Sequence, residues 1–268
     1  MTIHISPLPH RGFISITGED ARSYLQGIIT NDVMAVSPDN AVYACFLTPQ
    51  GKYLADFFLY EQDGGLLLDV DKSLLSDLLK RLRMYKLRSK VILEDVSDKY
   101  HVTAVWHALE KPQHGFTDPR GANFGFRVLN AEVTGEPGDY TAWQMQNGLP
   151  DVADFERERT TIAEANLDFL NGVSWTKGCY MGQEITARMH YRGLIKKRFL
   201  PIRLSVEKEI APDTVIMRDG KTIGLLRRAY KKEAIGVVTL EALEQGRYCE
   251  IDGITAEIVV PGWMIWEK

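Results

Sequence analysis

Short apolar runs of strand length, separated by turn residues, fill the first part of this chain. Residues 42–47 and 53–60 flank a turn that contains proline and glycine, and they predict a β-hairpin. One segment differs, because apolar residues recur at helical spacing over residues 74–85 and either Asp71 or Ser73 can cap the helix. Further strands are predicted at residues 12–17, 66–70, 90–94 and 101–106. This order of strands, helix and strands predicts an α+β fold with an antiparallel sheet.

A short N-terminal helix and a separate C-terminal domain complete the predicted fold. Asp20 is expected to cap a short helix, and residues 163–170 are expected to form another. Residues 111–125 are predicted to be a loop, and residues 141–158 show no strong hydrophobic period. From about Leu200, short β runs alternate with glycine and charged turns, which predicts a small β-barrel or sandwich of roughly 70 residues. The two predicted domains are residues 1–196 and 197–268.

The composition limits the classes of function to be considered. Of 268 residues, 45% are hydrophobic, and the net charge of −4 does not favour a global role in binding nucleic acid. No apolar run approaches the ~20 residues that span a bilayer, and the first residues do not resemble a signal peptide. The three cysteines are far apart and predict neither a zinc site nor a disulfide framework. We therefore expect a protein of the reducing cytoplasm, with no metal site and no membrane partner.

The segment around Cys179 carries the most specific chemistry in the sequence. Glycines at positions 178 and 182 flank the cysteine, and good helix formers follow. We therefore predict that Cys179 lies at or near a helix N-terminus, where unpaired amides and the helix dipole favour a thiolate. Lys177 would add positive charge and raise the reactivity of the thiol, and Gln183 would face the same site one turn later. The alternative is that Cys179 is a small buried apolar residue, as lone cysteines usually are.

Residues 177–184, Lys-Gly-Cys-Tyr-Met-Gly-Gln-Glu, resemble the signature of the YgfZ-like family, a branch of the glycine-cleavage T-protein superfamily. The Gln-Gly and Thr-Asn-Asp groups within residues 20–32 are similar to another block of that family. The Gln-Gly-Lys in the turn of the predicted hairpin, with the Ala-Asp that follows it, is similar to a further block. Further similar blocks, in the expected order, are residues 148–150, 166–168, 192–193 and 196–198. Together the blocks cover most of residues 18–198.

The resemblance implies both a fold and a ligand. Members form a three-lobed ring in which two α+β lobes come from the N-terminal part and a C-terminal β-barrel is the third. A tetrahydrofolate derivative such as 5-formyltetrahydrofolate is expected in the central channel, and this branch supports the assembly or repair of iron–sulfur clusters. The aminomethyltransferases of the superfamily carry a different motif, without the cysteine, at the position of Cys179. An accessory factor is therefore implied, and a folate-dependent one-carbon transferase, with Asp32 or Asp56 as its acid or base, is the alternative.

The same resemblance implies which residues line the folate site. Tyr140 and Trp143 correspond to one wall of the channel, and Arg11 occupies a comparable place on another. Asn31 and Asp32 would offer hydrogen bonds to the edge of the pterin, unless they serve only as a cap or a turn. The predicted folate-binding set is Arg11, Asn31, Asp32, Tyr140, Trp143, Gln183 and Arg188.

Basic residues gather after the cysteine, with seven between positions 177 and 203 against one acid. They predict a surface that attracts the acidic tail of folate or an acidic partner, or else a solvated face at a domain junction. RNA is not an expected partner, because few aromatic residues lie among them. A single thiol cannot hold an iron–sulfur cluster alone, so Cys179 would share one transiently with a partner protein, or resolve an oxidised intermediate. The expected partners are folate and iron–sulfur assembly proteins or client enzymes, in the cytoplasm or, in a eukaryote, the mitochondrial matrix.

Overall fold

The computed structural model of the chain describes residues 2–193 and 195–265. The outer ends of the two predicted domains, at residues 1 and 268, lie outside the described residues. The described residues form two compact units, and neither unit is continuous in sequence. One runs to Gly138 and includes Leu170–Ile185, and the other contains Asp139–Phe169 and the residues from Thr186 onward.

The first unit contains two five-stranded sheets, with orders β3-β4-β5-β2-β6 and β10-β1-β7-β9-β8. The strands are β1 (His4–Pro7), β2 (Arg11–Thr17), β3 (Val42–Leu47), β4 (Tyr53–Gln62), β5 (Gly65–Asp71), β6 (Ile92–Asp95), β7 (Val102–Trp106), β8 (Gly115–Thr117), β9 (Phe126–Leu129) and β10 (Glu136–Pro137). The helices are α1 (Ala21–Gln26) and α2 (Lys72–Lys86).

The predicted hairpin and the predicted leucine-rich helix are both confirmed. β3 and β4 pair antiparallel, and α2 buries its leucines against β2, β5 and β6 of the same sheet. The carboxylate of Asp71 accepts a hydrogen bond from the amide of Ser73 at 2.8 Å and so caps α2. Asp20 precedes α1 as predicted, but its side chain does not cap that helix and instead accepts a hydrogen bond from the Lys90 amide at 2.7 Å. This unit has the α+β character that the sequence predicts.

The second unit is built around a closed six-stranded barrel of order β11-β14-β13-β12-β15-β16. Its strands are β11 (Lys197–Leu204), β12 (Val215–Arg218), β13 (Lys221–Tyr230), β14 (Glu233–Thr239), β15 (Tyr248–Ile251) and β16 (Ile254–Ile258). Its helices are α3 (Tyr140–Gln146) and α5 (Leu240–Glu244), and the greater part of α4 (Gln183–Tyr191) also belongs to it. The predicted C-terminal barrel is confirmed. Across residues 2–193 and 195–265, no helix has both the length and the apolar character required to cross a bilayer.

Turn chemistry and short elements account for the predictions that are wrong. Residues 163–170 form turns instead of a helix, because Asn166 has a φ of +61° and its amide donates to the carbonyl of Phe199 at 2.6 Å. The predicted loop at residues 111–125 contains β8 and a short 3₁₀ helix. Residues 141–158, which show no strong period in the sequence, include most of α3, and the side chain of Asp139 caps this helix.

Candidate functional site

Cys179 is exposed and its thiol is free, whereas Cys45 and Cys249 are buried. The alternative that Cys179 is a buried apolar residue is therefore wrong. Residues 177–182, here called the cysteine loop, precede α4, which begins only at residue 183. A helix follows the cysteine as predicted, but it does not start at Cys179, because Gly182 lies between them with a φ of +83°, which is not helical. The thiol lies on the approach to the helix and outside its first turn.

Lys177 anchors the cysteine loop through its ammonium group. The Nζ atom donates to the backbone carbonyls of Gln26 at 2.7 Å, Ile29 at 2.9 Å and Asn31 at 2.8 Å. These three bonds use all three donors of the ammonium group. Burial lowers the pKa of Lys177 to about 8, and the charge of Asp32 acts in the opposite direction. The group is therefore mostly protonated at pH 7, and it fastens the loop to the turn that follows α1.

A close contact between two glycines holds the other end of the cysteine loop. Gly182 lies against Gly51 in the turn between β3 and β4, and a Cβ added to Gly182 would be 2.7 Å from the carbonyl oxygen of Thr48. The amide of Met181 also donates to the carbonyl of Gly27 at 3.2 Å. The loop is thus held on both sides by groups of the first unit.

Replacing Gly182 by alanine is expected to lower the free energy of unfolding by about 2 kcal/mol, because the added Cβ meets a carbonyl and the positive φ strains an L residue. Unfolding in urea measures the change. Gly178 provides a matched control in the same loop, since nothing lies within 4 Å of a Cβ at that position. Gly178→Ala should change the free energy by less than about 0.5 kcal/mol. Equal effects of the two substitutions would contradict the packing of Gly182.

Gln183 and Tyr180 close the cysteine loop where α4 begins. The Tyr180 amide donates to Oε1 of Gln183 at 3.4 Å, and the Gln183 amide donates to the Tyr180 carbonyl at 3.2 Å. Tyr180 is buried, and the ammonium of Lys177 lies 5.2 Å from the centre of its ring. Gln183 therefore supports the loop. Its contact with folate stays a prediction, as does the influence of Lys177 on the thiol.

Asn31 and Asp32 use their side chains within the turn that follows α1. The amide nitrogen of Asn31 donates to the carbonyls of Tyr43 at 2.7 Å and Asn171 at 2.6 Å. Oδ1 of Asp32 accepts from the amide of Met34 at 3.0 Å and caps a short 3₁₀ helix. Both donors of the Asn31 amide are thus already used, and the place of these residues in a folate site stays a prediction. Of the predicted residues outside this turn, Lys177 bonds to it directly, whereas Cys179 lies in the loop that Lys177 anchors and Gln183 follows that loop.

Arg11 belongs to a buried charge cluster that the sequence does not predict. Arg11 Nε donates to Oδ1 of Asp69 at 2.6 Å, and Arg127 Nη2 donates to Oδ2 at 2.6 Å. Because Asp69 is on β5 and Arg127 is on β9, this network joins the two sheets of the first unit. Burial acts to raise the pKa of Asp69, but the two guanidinium groups hold it below its usual value. The ring of Phe58 lies beneath three guanidinium groups, with Arg127 at 3.8 Å, Arg120 at 5.2 Å and Arg11 at 5.6 Å from its centre.

Asp56 lies on β4 between two tyrosine hydroxyl groups. The hydroxyl of Tyr43 donates to Oδ2 at 2.8 Å, and that of Tyr53 donates to Oδ1 at 2.6 Å. Both tyrosines are buried, whereas Asp56 is half-buried. Burial, with the carboxylate charge adding to it, raises the pKa of both phenols. Asp56 is therefore a positioned carboxylate, and the tyrosines beside it remain proton donors at neutral pH.

The second unit contains the remaining predicted residues. Tyr140 and Trp143 lie on α3 with their rings stacked, the ring centres 5.5 Å apart at an angle of 27°. Trp143 is buried, Tyr140 is half-buried, and Arg188 is exposed on α4. Arg198 does not belong to an exposed basic surface, because it is buried and donates to both carboxylate oxygens of Asp168, at 2.9 and 3.0 Å.

Two family models and several relatives match the chain. The GCVT N-terminal domain matches residues 5–107, and the C-terminal beta-barrel domain of CAF17 matches residues 196–265. The mouse protein named iron-sulfur cluster assembly factor IBA57, mitochondrial, is 32% identical, over 96% of this chain and 84% of the mouse protein. This chain belongs to the IBA57 family. Human IBA57 is 31% identical, over 88% of this chain and 78% of the human protein.

Other comparisons define how far the similarity extends. An IBA57 homolog of Mycosarcoma maydis is 37% identical over 75% of this chain, but the match spans only 57% of that protein's length. The crystal structure of glycine cleavage system aminomethyltransferase T from Bartonella henselae has the same fold, with a TM-score of 0.73 over 98% of this chain and 86% of that chain, at 12% identity. The predicted T-protein-like fold, with N-terminal α+β lobes and a C-terminal barrel, is confirmed. The YgfZ-like branch stays a prediction, because these relatives are named IBA57.

Proposed function

We propose that this chain takes part in the assembly of iron–sulfur clusters, with Cys179 binding cluster iron together with a partner protein. The observation that carries the proposal is an exposed, free thiol on a loop that Lys177 and Gly182 hold in place. Membership of the IBA57 family supports it, because the mouse and human members are named as iron–sulfur cluster assembly factors.

The number of available ligands explains why a partner is needed. Iron–sulfur clusters usually take four protein ligands. The other two cysteines are buried, and within the described ranges no group of three or more His, Cys, Asp and Glu side chains is placed to hold a metal. In the proposed step, the Cys179 thiol loses its proton to solvent and the thiolate replaces one ligand of a cluster that the partner holds at its other positions. The displaced ligand leaves with its electron pair, and no oxidant or reductant is required.

Replacing Cys179 by serine is expected to abolish support for iron–sulfur enzymes while the fold persists, because the side chain is exposed. The measurement is the activity of iron–sulfur enzymes in cells that lack their own copy of this gene and express the variant. Cys249→Ala is the matched control, since it removes a buried thiol from the barrel and should keep the activity. Full complementation by Cys179→Ser would disprove the proposed role of the thiol.

We further propose that the chain binds a reduced folate, as the T-protein-like fold suggests. The half-buried ring of Tyr140, stacked on Trp143, has the character of a wall for a flat pterin. Titration with 5-formyltetrahydrofolate, followed by tryptophan fluorescence, tests this directly. An unchanged signal at saturating folate would remove the folate proposal and leave the cluster proposal standing.

Asp56 favours one alternative function, a folate-dependent one-carbon transferase. Its carboxylate is half-buried and is held by Tyr43 and Tyr53, as an acid or base of such an enzyme would have to be. A turnover assay with tetrahydrofolate and methylamine donors distinguishes the two functions. We keep the predicted compartment, cytoplasm or mitochondrial matrix, as a proposal, and the matrix is supported by relatives that are named mitochondrial.

A further inference from the structure

The tight turn between α2 and β6 holds an exposed apolar residue in a strained conformation. Leu87 has φ +48° and ψ −113°, and the amide of Ser89 donates to the carbonyl of Lys86 at 2.9 Å. This is the geometry of a type II′ turn, in which glycine normally occupies the position of Leu87. The side chain of Leu87 is 87% exposed, so packing within the chain does not offset the strain. Strained residues of this kind concentrate at functional sites.

Basic and apolar side chains surround the turn. From residue 80 to residue 90 the sequence contains six basic residues and no acid, in a chain of net charge −4. Arg81 and Lys90 have ion-pair partners, whereas Lys86 and Arg88 have none among the described residues. Met84 and Ile92 are exposed as well, by 64% and 57%. The basic residues are Lys80, Arg81, Arg83, Lys86, Arg88 and Lys90.

A groove of about 500 Å³ lies beside α2, and its lining includes Arg83 and Met84 in the last turn of the helix. Its lining combines apolar side chains with two basic side chains, one serine and one acid. The groove residues used here are Leu75, Leu79, Lys80, Arg83, Met84 and Asp95. Apolar and basic side chains side by side match an anionic phospholipid, whose acyl chains are apolar and whose phosphate is negative.

We infer, against the sequence-based expectation of no membrane partner, that the α2–β6 turn is a peripheral contact site for an anionic lipid bilayer. Leu87 and Met84 enter the interface between head groups and acyl chains, while Lys86 and Arg88 lie at the level of the phosphates. Projecting apolar side chains among unpaired basic residues are the arrangement by which proteins lie on a bilayer without spanning it. Nucleic acid is disfavoured here, because the exposed side chains are mostly aliphatic and bases stack on aromatic rings.

Flotation of the full chain with vesicles tests the inference. We expect binding to phosphatidylcholine vesicles that contain phosphatidylglycerol, weakening as salt rises, and no binding to phosphatidylcholine alone. Leu87→Gly should weaken binding about tenfold. The same substitution should raise the unfolding temperature, because glycine adopts the turn without strain. Weaker binding by a more stable protein cannot be attributed to misfolding.

Charge reversal gives the second arm of the test. Lys86→Glu combined with Arg88→Glu should weaken binding at least about tenfold. Lys221→Glu combined with Lys232→Glu changes the net charge equally, on exposed positions of the barrel, and should leave binding unchanged. Equal binding to both kinds of vesicle, or binding only to RNA or polyglutamate, would overturn the inference. Cys179→Ser should bind vesicles as the parent chain does, so this result is independent of the cluster proposal.

Discussion

Replacing Asp69 by asparagine is expected to lower the free energy of unfolding by about 3–5 kcal/mol. Asparagine keeps the shape of the side chain but removes the charge that lies between Arg11 and Arg127, where the carboxylate is fully buried. Two guanidinium groups in the core of the first unit then lose the carboxylate that they share, and a buried charge that loses its partner is strongly destabilising. Urea unfolding followed by intrinsic fluorescence measures the change.

A surface carboxylate provides the control for Asp69. Asp77 pairs with Arg81 one turn later on α2, and its side chain is 37% exposed. Asp77→Asn should therefore lower the free energy of unfolding by less than about 1 kcal/mol. Equal losses from Asp69→Asn and Asp77→Asn would contradict the buried network.

Acid adds a second test of the same network. Because the folded-state pKa of Asp69 is depressed, its stabilisation is fully present at neutral pH. It is lost as the pH falls below the unfolded value of about 4 and through the folded pKa. The parent chain should therefore lose more stability on acidification than Asp69→Asn, and equal acid sensitivity would contradict the argument.

Local sequence patterns predict the helices and strands that local interactions stabilise. The hairpin of β3 and β4 has a turn signal between two apolar runs, and α2 has both a periodic leucine face and the cap of Asp71. The helix predicted at residues 163–170 does not form, because distant partners determine the conformation of these residues. Asn166 bonds to Phe199, 33 residues away, and Asp168 pairs with Arg198, 30 residues away. A sequence window short enough to show helical periodicity includes neither of these partners.

The sequence predicts which residues belong to the candidate site but not the contacts that they make. The motif located Cys179 and Lys177, yet the bonds of Lys177 run to carbonyls near residue 30, a turn that belongs to a separate sequence block. Likewise Gly51 and Gly182 lie in different blocks, and their mutual approach adds to the positive φ angles that already favour glycine at both positions. The strand pattern does not predict the charge cluster of Asp69. An acid within an apolar strand is nevertheless a signal of one, because a buried carboxylate requires a cation.

Replacing Lys177 by methionine is expected to reduce iron–sulfur enzyme activity in complemented cells by about tenfold to a hundredfold, because small displacements of a reacting group have effects of that size. Methionine keeps most of the volume but leaves three backbone carbonyls without their donor, so the cysteine loop loses its anchor. The cost of the three lost hydrogen bonds to global stability is partly offset. Since burial lowers the pKa of Lys177 to about 8, the ammonium is itself unfavourable to bury, and methionine removes that penalty.

Hydrogen exchange separates a loosened loop from a damaged fold. The amides of Met181 and Ser174 donate to the carbonyls of Gly27 and Thr30, and their exchange should accelerate in Lys177→Met while exchange in the barrel does not. In the parent chain, the same amides should lose protection as the pH rises through 8, beyond the intrinsic rate increase, because the ammonium then loses a proton and one of its three donors.

The control for Lys177 is a lysine that makes a single bond elsewhere. Lys72→Met removes one exposed hydrogen bond, to the carbonyl of Pro9, and should keep both full activity and slow exchange in the cysteine loop. If Lys177→Met accelerates exchange in the loop but retains full activity, a fixed position of Cys179 is not needed for function. The thiol would then act from a mobile loop, and the close contacts of Lys177 and Gly182 would serve the fold alone.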